Sequence, residues 1–130
     1  MMAHPYRVLV VEDEYLIREV ICCELREEGF DVVEAASGAE AVELIRGTSM
    51  FDVLFTDIRL GGGPDGWDVA HAFRERFPGA PVAYASAYAP GERRPVADSV
   101  FFPKPYRPTA VCRALFGMLP GAAAPERAAG

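Results

Sequence analysis

Phe51–Phe55 is apolar apart from Asp52, and Thr56 and Asp57 follow it directly. Three glycines and a proline, Gly61 to Pro64, come soon after and break any helix or strand there. A short apolar run with such bounds reads as a strand buried on both faces. Strands of that kind belong to parallel sheets covered by helices on both sides. Open α/β sheets gather ligands and chemistry just beyond the carboxyl ends of their strands. Asp57 stands at that end, which makes its carboxylate the candidate reactive group. A lone Asp would more simply end a strand and open a turn. The rest of the chain decides between the two readings.

Tyr6–Val11 is β-branched and apolar, a first buried strand. It runs into Glu12, Asp13 and Glu14, where Asp13 can cap a helix over about Glu14–Glu28. Leu16, Ile17, Val20, Ile21 and Leu25 give that helix a broad apolar stripe, and Gly29 ends it. Phe30–Ala35 is a second strand, less apolar and so nearer an edge. Ser37 caps a second helix through about Arg46, with Ala41, Val42 and Ile45 inward. A third helix, Gly66–Phe77, turns Val69, Ala70, Phe73 and Phe77 inward before Pro78 and Gly79 stop it. Pro81–Ala85 is a fourth strand, ending at Ser86. Ala87–Ser99 holds two prolines, a glycine and the Glu92–Arg93–Arg94 cluster, which does not favour a long helix. Val100–Phe102 is a short fifth strand before the Pro103–Lys104–Pro105 turn. A last helix runs from Pro108 to Leu119, with Val111, Leu115 and Met118 inward.

Strands alternating with helices imply parallel strands joined by right-handed crossovers. Five of them match a doubly wound sheet of order 2-1-3-4-5. The 130 residues, 51% of them hydrophobic, suffice for one domain with a real core, residues 1–120. The tail 121–130, GAAAPERAAG, has nothing to bury and is expected to be disordered. No apolar run approaches the roughly 20 residues of a membrane span, and the first residues lack a secretory signal. Cys22, Cys23 and Cys112 read as small core residues in a reducing compartment, not as a disulfide or metal set. The net charge of −6 argues against nucleic-acid binding by this domain itself. The expectation is a soluble cytoplasmic domain.

The carboxyl ends of the strands carry few polar residues. Strand one offers Glu12 and Asp13, strand three Asp57, strand four Ser86 and strand five Lys104. In the order 2-1-3-4-5 those four strands are consecutive neighbours, so the five side chains can converge. Carboxylates held together repel unless a cation is present. Oxygen ligands of this kind suit Mg²⁺ rather than Zn²⁺. A lysine and a hydroxyl beside such a centre are what a phosphoryl group needs: charge balance and one hydrogen-bond donor.

With these residues in view, the chain resembles a response-regulator receiver domain from about Tyr6 to Leu119. The resemblance rests on VVEDE, LFTDIRL, PVAYASA and PKPY, in that order and at compatible spacings. It implies a flavodoxin-like fold and a single-domain regulator. Asp57 would be the phospho-acceptor, and Glu12, Asp13, Asp57 and the Arg59 backbone carbonyl would serve Mg²⁺. Ser86 would follow the phosphoryl group, Lys104 would pair with it, and Phe101 would be the switching aromatic. The donor would be a histidine kinase or histidine phosphotransfer protein, and the output would be binding to a further protein. Neither a membrane nor a nucleic acid is implied, nor any enzyme activity beyond slow self-dephosphorylation. The Lys104–Pro105 bond is expected to be cis, as it generally is in this family; cis costs only about 0.5–1 kcal/mol before proline.

The chain departs from the family between Ser86 and Lys104, where a full fourth helix is usual. Here the segment is short and proline-rich, so a loop or at most one helical turn is expected in its place. Closure of Ser86 and the following backbone on a phosphoryl group would order that loop. Each site residue also has a plainer reading: Glu12 and Asp13 as helix-capping acids, Ser86 as a turn residue, Lys104 as a solvated charge. His4 and His71 read as surface histidines, and Arg93 and Arg94 as a solvated patch. Two other functions compete with this reading. A metal-dependent phosphohydrolase commonly has a second Asp two residues after its nucleophile, where this chain has Arg59. A receiver used only for docking would have lost Asp57, Lys104 or the acid pair, and all are present. A phosphate sink in a relay remains the alternative to an output role.

Overall fold

A computed structural model describes residues 5–87 and 93–120. His4, the tail 121–130 and residues 88–92 of the expected loop lie outside the described residues. Among the described residues the chain runs β1 (Arg7–Val11), α1 (Tyr15–Glu27), β2 (Asp31–Ala35), α2 (Gly38–Arg46), β3 (Val53–Asp57), α3 (Gly66–Arg76), β4 (Val82–Ser86), β5 (Ser99–Pro103) and α4 (Pro108–Met118). The strands form one parallel sheet in the order β2-β1-β3-β4-β5, as the alternation predicts.

Side chains of a strand alternate between the faces, so the register assigns each core. Leu9 pairs with Leu54 and Leu54 with Val82 on one face; Val10 pairs with Phe55 and Phe55 with Ala83 on the other. The first face packs on Ala41, Ile45, Val69 and Phe73 of α2 and α3. The second packs on Ile21, Leu25, Val111 and Leu115 of α1 and α4. Every residue of β3 and β4 is buried, as a central parallel strand requires. The β5 edge is largely open, with Val100 and Phe101 exposed.

Local signals set the helix ends. Ser37 Oγ accepts from Glu40 N at 3.1 Å and so caps α2, and Glu40 Oε1 accepts from Ala36 N, one residue before the cap, at 2.8 Å. Asp65 and Asp68 make a full reciprocal capping box at α3, each carboxylate accepting from the other residue's backbone N–H. After α1 the chain turns at Gly29, whose φ of 102° suits a residue without a Cβ.

Three expectations need correction. The apolar stripe of α1 is only partly inward. Ile21, Cys22 and Leu25 face the sheet, whereas Leu16 is 74% exposed and Val20 58% exposed. These two occupy a neighbouring row of the helix and look into a groove beside Pro105 and Tyr106 rather than onto β1. Cys23, one residue around the helix from buried Cys22, is exposed too, while Cys112 is in the core. Finally, Asp13 does not cap α1. The N-cap position is Glu14, and its backbone N–H is taken by the Glu12 carboxylate at 3.0 Å.

Between β4 and β5, described residues 93–98 contain no helix. Val96 is buried there, its N–H donating to the Tyr84 hydroxyl at 2.9 Å, while Ser99 Oγ donates to the Val96 carbonyl at 2.7 Å. Tyr84 meets Trp67 edge to face, with ring centroids 4.7 Å apart. A buried valine and a tyrosine hydroxyl thus close over the face that a helix would cover.

The start of α3 touches the end of β3. Gly66 N donates to the Ile58 carbonyl at 2.8 Å, and a Cβ on Gly66 would collide with the Asp57 carbonyl oxygen and stand 2.6 Å from Ile58 Cα. These obstacles are backbone and cannot swing away. Gly66→Ala should therefore cost about 3 kcal/mol, at the upper end of overpacking penalties. Gly79→Ala, with open space around the added carbon, should leave stability unchanged or slightly raised. Urea unfolding of both variants checks the pair; a Gly66→Ala midpoint equal to that of the unsubstituted chain would refute the close-approach argument.

Candidate functional site

The parallel register brings the strand ends level. Val11 pairs with Thr56, Asp57 with Ala85, and Ser86 with Pro103. The residues just past those pairs are therefore neighbours. Glu12 (3% exposed) follows β1, Asp57 (7%) ends β3, and Ser86, also buried, ends β4. Lys104 leaves β5, its backbone N–H held by the Ser86 carbonyl at 3.0 Å. The Lys104–Pro105 bond that follows is cis.

From there the ammonium group reaches back across the sheet. Lys104 Nζ donates to Glu12 Oε1 at 2.9 Å and to Asp57 Oδ2 at 3.1 Å. Asp13 is exposed and receives the Gly61 N–H at 3.3 Å, which ties the β3–α3 loop to the end of β1. Glu12, Asp13 and Asp57 each offer an oxygen, and these atoms lie within 4.8 Å of one another. Of the five residues read from the strand ends, Lys104 joins Glu12 and Asp57, Asp13 lies close beside their oxygens, and Ser86 meets Lys104 through its backbone carbonyl. Arg59 lies on the loop directly after Asp57, and its backbone N–H bonds to the Asp57 carboxylate. Phe101 is exposed on β5, with the Arg93 guanidinium 5.2 Å from its ring centroid.

The charges do not balance. Three carboxylates face one ammonium. Burial pushes the Glu12 carboxyl up, and repulsion from Asp57 adds to this, against relief from the Glu14 N–H and Lys104. Burial likewise raises Asp57, with Asp13 contributing, while Lys104 and the Arg59 N–H work the other way. For Lys104, burial alone would favour the neutral amine, but Glu12 and Asp57 together outweigh it and hold the proton more tightly than usual. The site thus carries surplus negative charge next to a fixed cation. An all-oxygen donor set with that surplus fits a hard divalent cation such as Mg²⁺.

Other residues take places that sequence reasoning did not assign. Tyr106 packs edge to face on Phe55 at 5.5 Å, and burial together with the Glu12 and Asp57 charges pushes its hydroxyl up. Leu16, Ile17, Val20, Lys104, Pro105 and Tyr106 line a groove of about 500 Å³ that meets the site at Lys104. Arg94, read as a solvated charge, pairs with Asp65 at 3.4 Å and with Asp68 at 3.3 Å. The Asp65–x–x–Asp68 spacing is a legible capping box, but nothing in the sequence joins it to Arg94. His71, expected at the surface, is exposed there and lies 3.0 Å from the Arg94 carbonyl oxygen.

Comparison with known proteins agrees with this geometry. Residues 8–100 match the model of the response regulator receiver domain. A response regulator receiver protein of Anaeromyxobacter is 39% identical over 96 residues, which cover 74% of this chain and 38% of that protein. The chain spans less than half the length of the curated relatives it matches, 35% to 42% of the first ones. Among solved structures, a response regulator receiver protein from Sinorhizobium medicae superposes with a TM-score of 0.82 at 30% identity, covering 92% of this chain and 98% of the other. The regulator TrrA of Thermotoga maritima, solved in complex with Mg²⁺–BeF, gives 0.75 at 28% identity, covering 88% and 99%. No helix among the described residues is long and apolar enough to cross a membrane.

The raised Asp57 carboxyl has a consequence for stability. An acid that holds its proton more tightly when folded loses stability as pH rises from its ordinary value, 3.8, through the folded one. Above that window the full penalty of the buried charge is present. Asp57→Asn should thus melt at a higher temperature than the unsubstituted chain at pH 7, and the gap should close as pH falls toward 4. Thermal melts between pH 4 and 7 test this; a gap that widens on acidification would reverse the sign.

Proposed function

Because the chain belongs to the response regulator receiver domain family, we propose that it accepts a phosphoryl group on Asp57 from a phosphohistidine of a kinase or phosphotransfer protein. The observation that carries this reading is the Lys104 ammonium shared between Asp57 and Glu12 at the end of β3. Asp57 is buried enough to be desolvated, yet it faces the cleft where the strand ends stop. A carboxylate oxygen attacks phosphorus, the phosphorus–nitrogen bond of the donor breaks, and its electron pair stays with the leaving imidazole. Lys104 already touches Asp57 and moves with little reorganisation to an oxygen of the transferred group. Ser86 ends the neighbouring strand and offers its hydroxyl to another oxygen. Glu12 holds Lys104 in line throughout. Glu12, Asp13, Asp57 and the Arg59 carbonyl are the residues to hold Mg²⁺, which supplies the positive charge that lets two anions approach.

The donor has to reach Asp57 over the rim of the site. The apolar groove between α1 and the Lys104–Tyr106 turn lies beside that rim, with Leu16 and Val20 facing outward. We assign it to the phosphohistidine partner, which would cover these side chains while presenting its imidazole to Asp57. Output follows from binding a further protein when the group is in place. A change at the end of β4 and in the connection that follows, with Phe101 beside it, would create the surface. A phosphohydrolase is disfavoured by Arg59, which stands where the second acid of such enzymes commonly stands.

Incubation with acetyl phosphate and Mg²⁺ should add one phosphoryl group by intact mass. The adduct should be absent in Asp57→Asn, slow to form in Lys104→Ala, and lost when the metal is chelated. An adduct that persists in Asp57→Asn would place the acceptor elsewhere. Leu16→Asp should slow transfer from a phosphohistidine protein at least tenfold while leaving acetyl phosphate labelling unchanged. Equal loss with both donors would show that the groove serves the fold rather than the partner.

A further inference from the structure

β1 and β2 stay paired until Glu12 N donates to the Ala35 carbonyl at 3.1 Å, and there β2 ends. The Glu12 carbonyl that follows is met by a side chain: Arg18 Nη1 donates to it at 2.8 Å. Arg18 Nε donates at 3.1 Å to Glu34 Oε1 on β2, so one guanidinium joins the turn after β1 to the neighbouring strand. The Arg18 side chain is only 14% exposed, and the Tyr15 ring centroid lies 5.6 Å from its guanidinium carbon. A planar fork used in two directions has little freedom to rotate. The other Glu34 oxygen is taken by Arg26, whose bonds run to Glu34 and to the Val32 carbonyl, both on β2.

The carbonyl that Arg18 holds belongs to the peptide joining Glu12 to Asp13. That group is planar, so fixing its oxygen fixes the direction in which the chain enters and leaves it. Two of the acids proposed for Mg²⁺ thus stand at either end of one oriented plane. Glu12 has further restraints, since its carboxylate takes the Glu14 N–H at 3.0 Å and the Lys104 ammonium at 2.9 Å. Asp13 is exposed, and its carboxylate takes the Gly61 N–H at a longer 3.3 Å. Its placement leans on the backbone before it.

We propose that Arg18 is a positioning residue for the cation site: it holds the Glu12–Asp13 peptide against Glu34 of β2 and so sets both acids where they bind Mg²⁺. The proposal rests on the phospho-accepting reading above, which puts Mg²⁺ on these acids. Groups that orient metal ligands without touching the metal change affinity roughly ten- to a hundredfold when removed. Arg18 works through a single peptide, so its loss falls at the low end of that range. The sign is as informative as the size. Arg18 is a cation, and by charge alone its removal would tighten the binding of Mg²⁺. As a positioning residue, its removal weakens that binding. Charge and geometry therefore pull in opposite directions.

The test titrates the full chain with Mg²⁺ by calorimetry. Arg18→Gln should bind about tenfold more weakly than the unsubstituted chain. Arg26→Gln takes the same charge away from the same Glu34 carboxylate and leaves the Glu12 carbonyl bond in place; it should bind as tightly as the unsubstituted chain or slightly more so. Arg18→Lys keeps the charge but not the fork, and should fall between Arg18→Gln and the unsubstituted chain. Without metal, the Glu12 carbonyl carbon resonance should move upfield in Arg18→Gln, as a lost hydrogen bond requires, and stay in place in Arg26→Gln. Binding by Arg18→Gln as tight as that of the unsubstituted chain, or tighter, would overturn the positioning role alone. An equal loss in Arg26→Gln would overturn it too, by showing that the charge network and not the peptide matters. Should Arg18→Gln fail to fold, Arg18→Lys carries the same test, and undiminished binding by it would overturn the role. Failure of the unsubstituted chain to bind Mg²⁺ at all would overturn the phospho-accepting reading, and the positioning role with it.

Discussion

The Lys104 ammonium, held between the Glu12 and Asp57 carboxylates, is the contact on which the arrangement of the site depends. It joins residues 92 and 47 positions away in the sequence, and it does so only because β1, β3, β4 and β5 lie side by side in register. The sheet supplies the alignment; the lysine converts alignment into a charge-compensated site. Removing the ammonium would leave buried carboxylates with no cation among them. Such a group is costly to leave unmatched, which is why one partner here cannot be altered without consequence for the others.

Much of this was legible in the chain itself. Apolar runs of β-branched residues, each ending at a polar residue, located the strands, and the glycine-rich loop after Asp57 located the edge of the sheet at which the site lies. The topology followed from alternation, and the convergence of Glu12, Asp13, Asp57, Ser86 and Lys104 followed from topology. The parts that were not legible depend on which row of a helix meets the sheet. Leu16 and Val20 carry the same hydrophobic signal as Ile21 and Leu25, and only the angle at which α1 crosses β1 separates them. Capping was misread for a related reason. Asp13 and Glu14 are both acids before a helix, and which of them takes the N-cap position rests on where the chain leaves β1. Arg94 is a third case: a charged residue in a loop without periodicity announces no partner, and its pairing with Asp65 and Asp68 is purely tertiary.

Residues 93–98, the described part of the β4–β5 connection before β5, cover the core without a helix. A helix there would have covered Tyr84 and Trp67 with its own apolar stripe. Instead one residue, Val96, fills the gap, and the tyrosine hydroxyl satisfies the backbone N–H that accompanies it into the interior. Burying a backbone group without a partner would be unfavourable, so the hydroxyl at position 84 is what makes a loop acceptable over the core.

Gly66 has a mechanical meaning beyond its fit. With α3 pressed against the carbonyl of Asp57, that residue stands on a stiff footing: backbone against backbone, with no side chain between to yield. On the opposite flank the footing is soft, a connection secured by exposed ion pairs and a few hydrogen bonds. Stress that arises between two such walls deforms the compliant one. Under the proposed phosphoryl transfer, displacement would run toward β4 and β5 instead of being dissipated through the middle of the sheet.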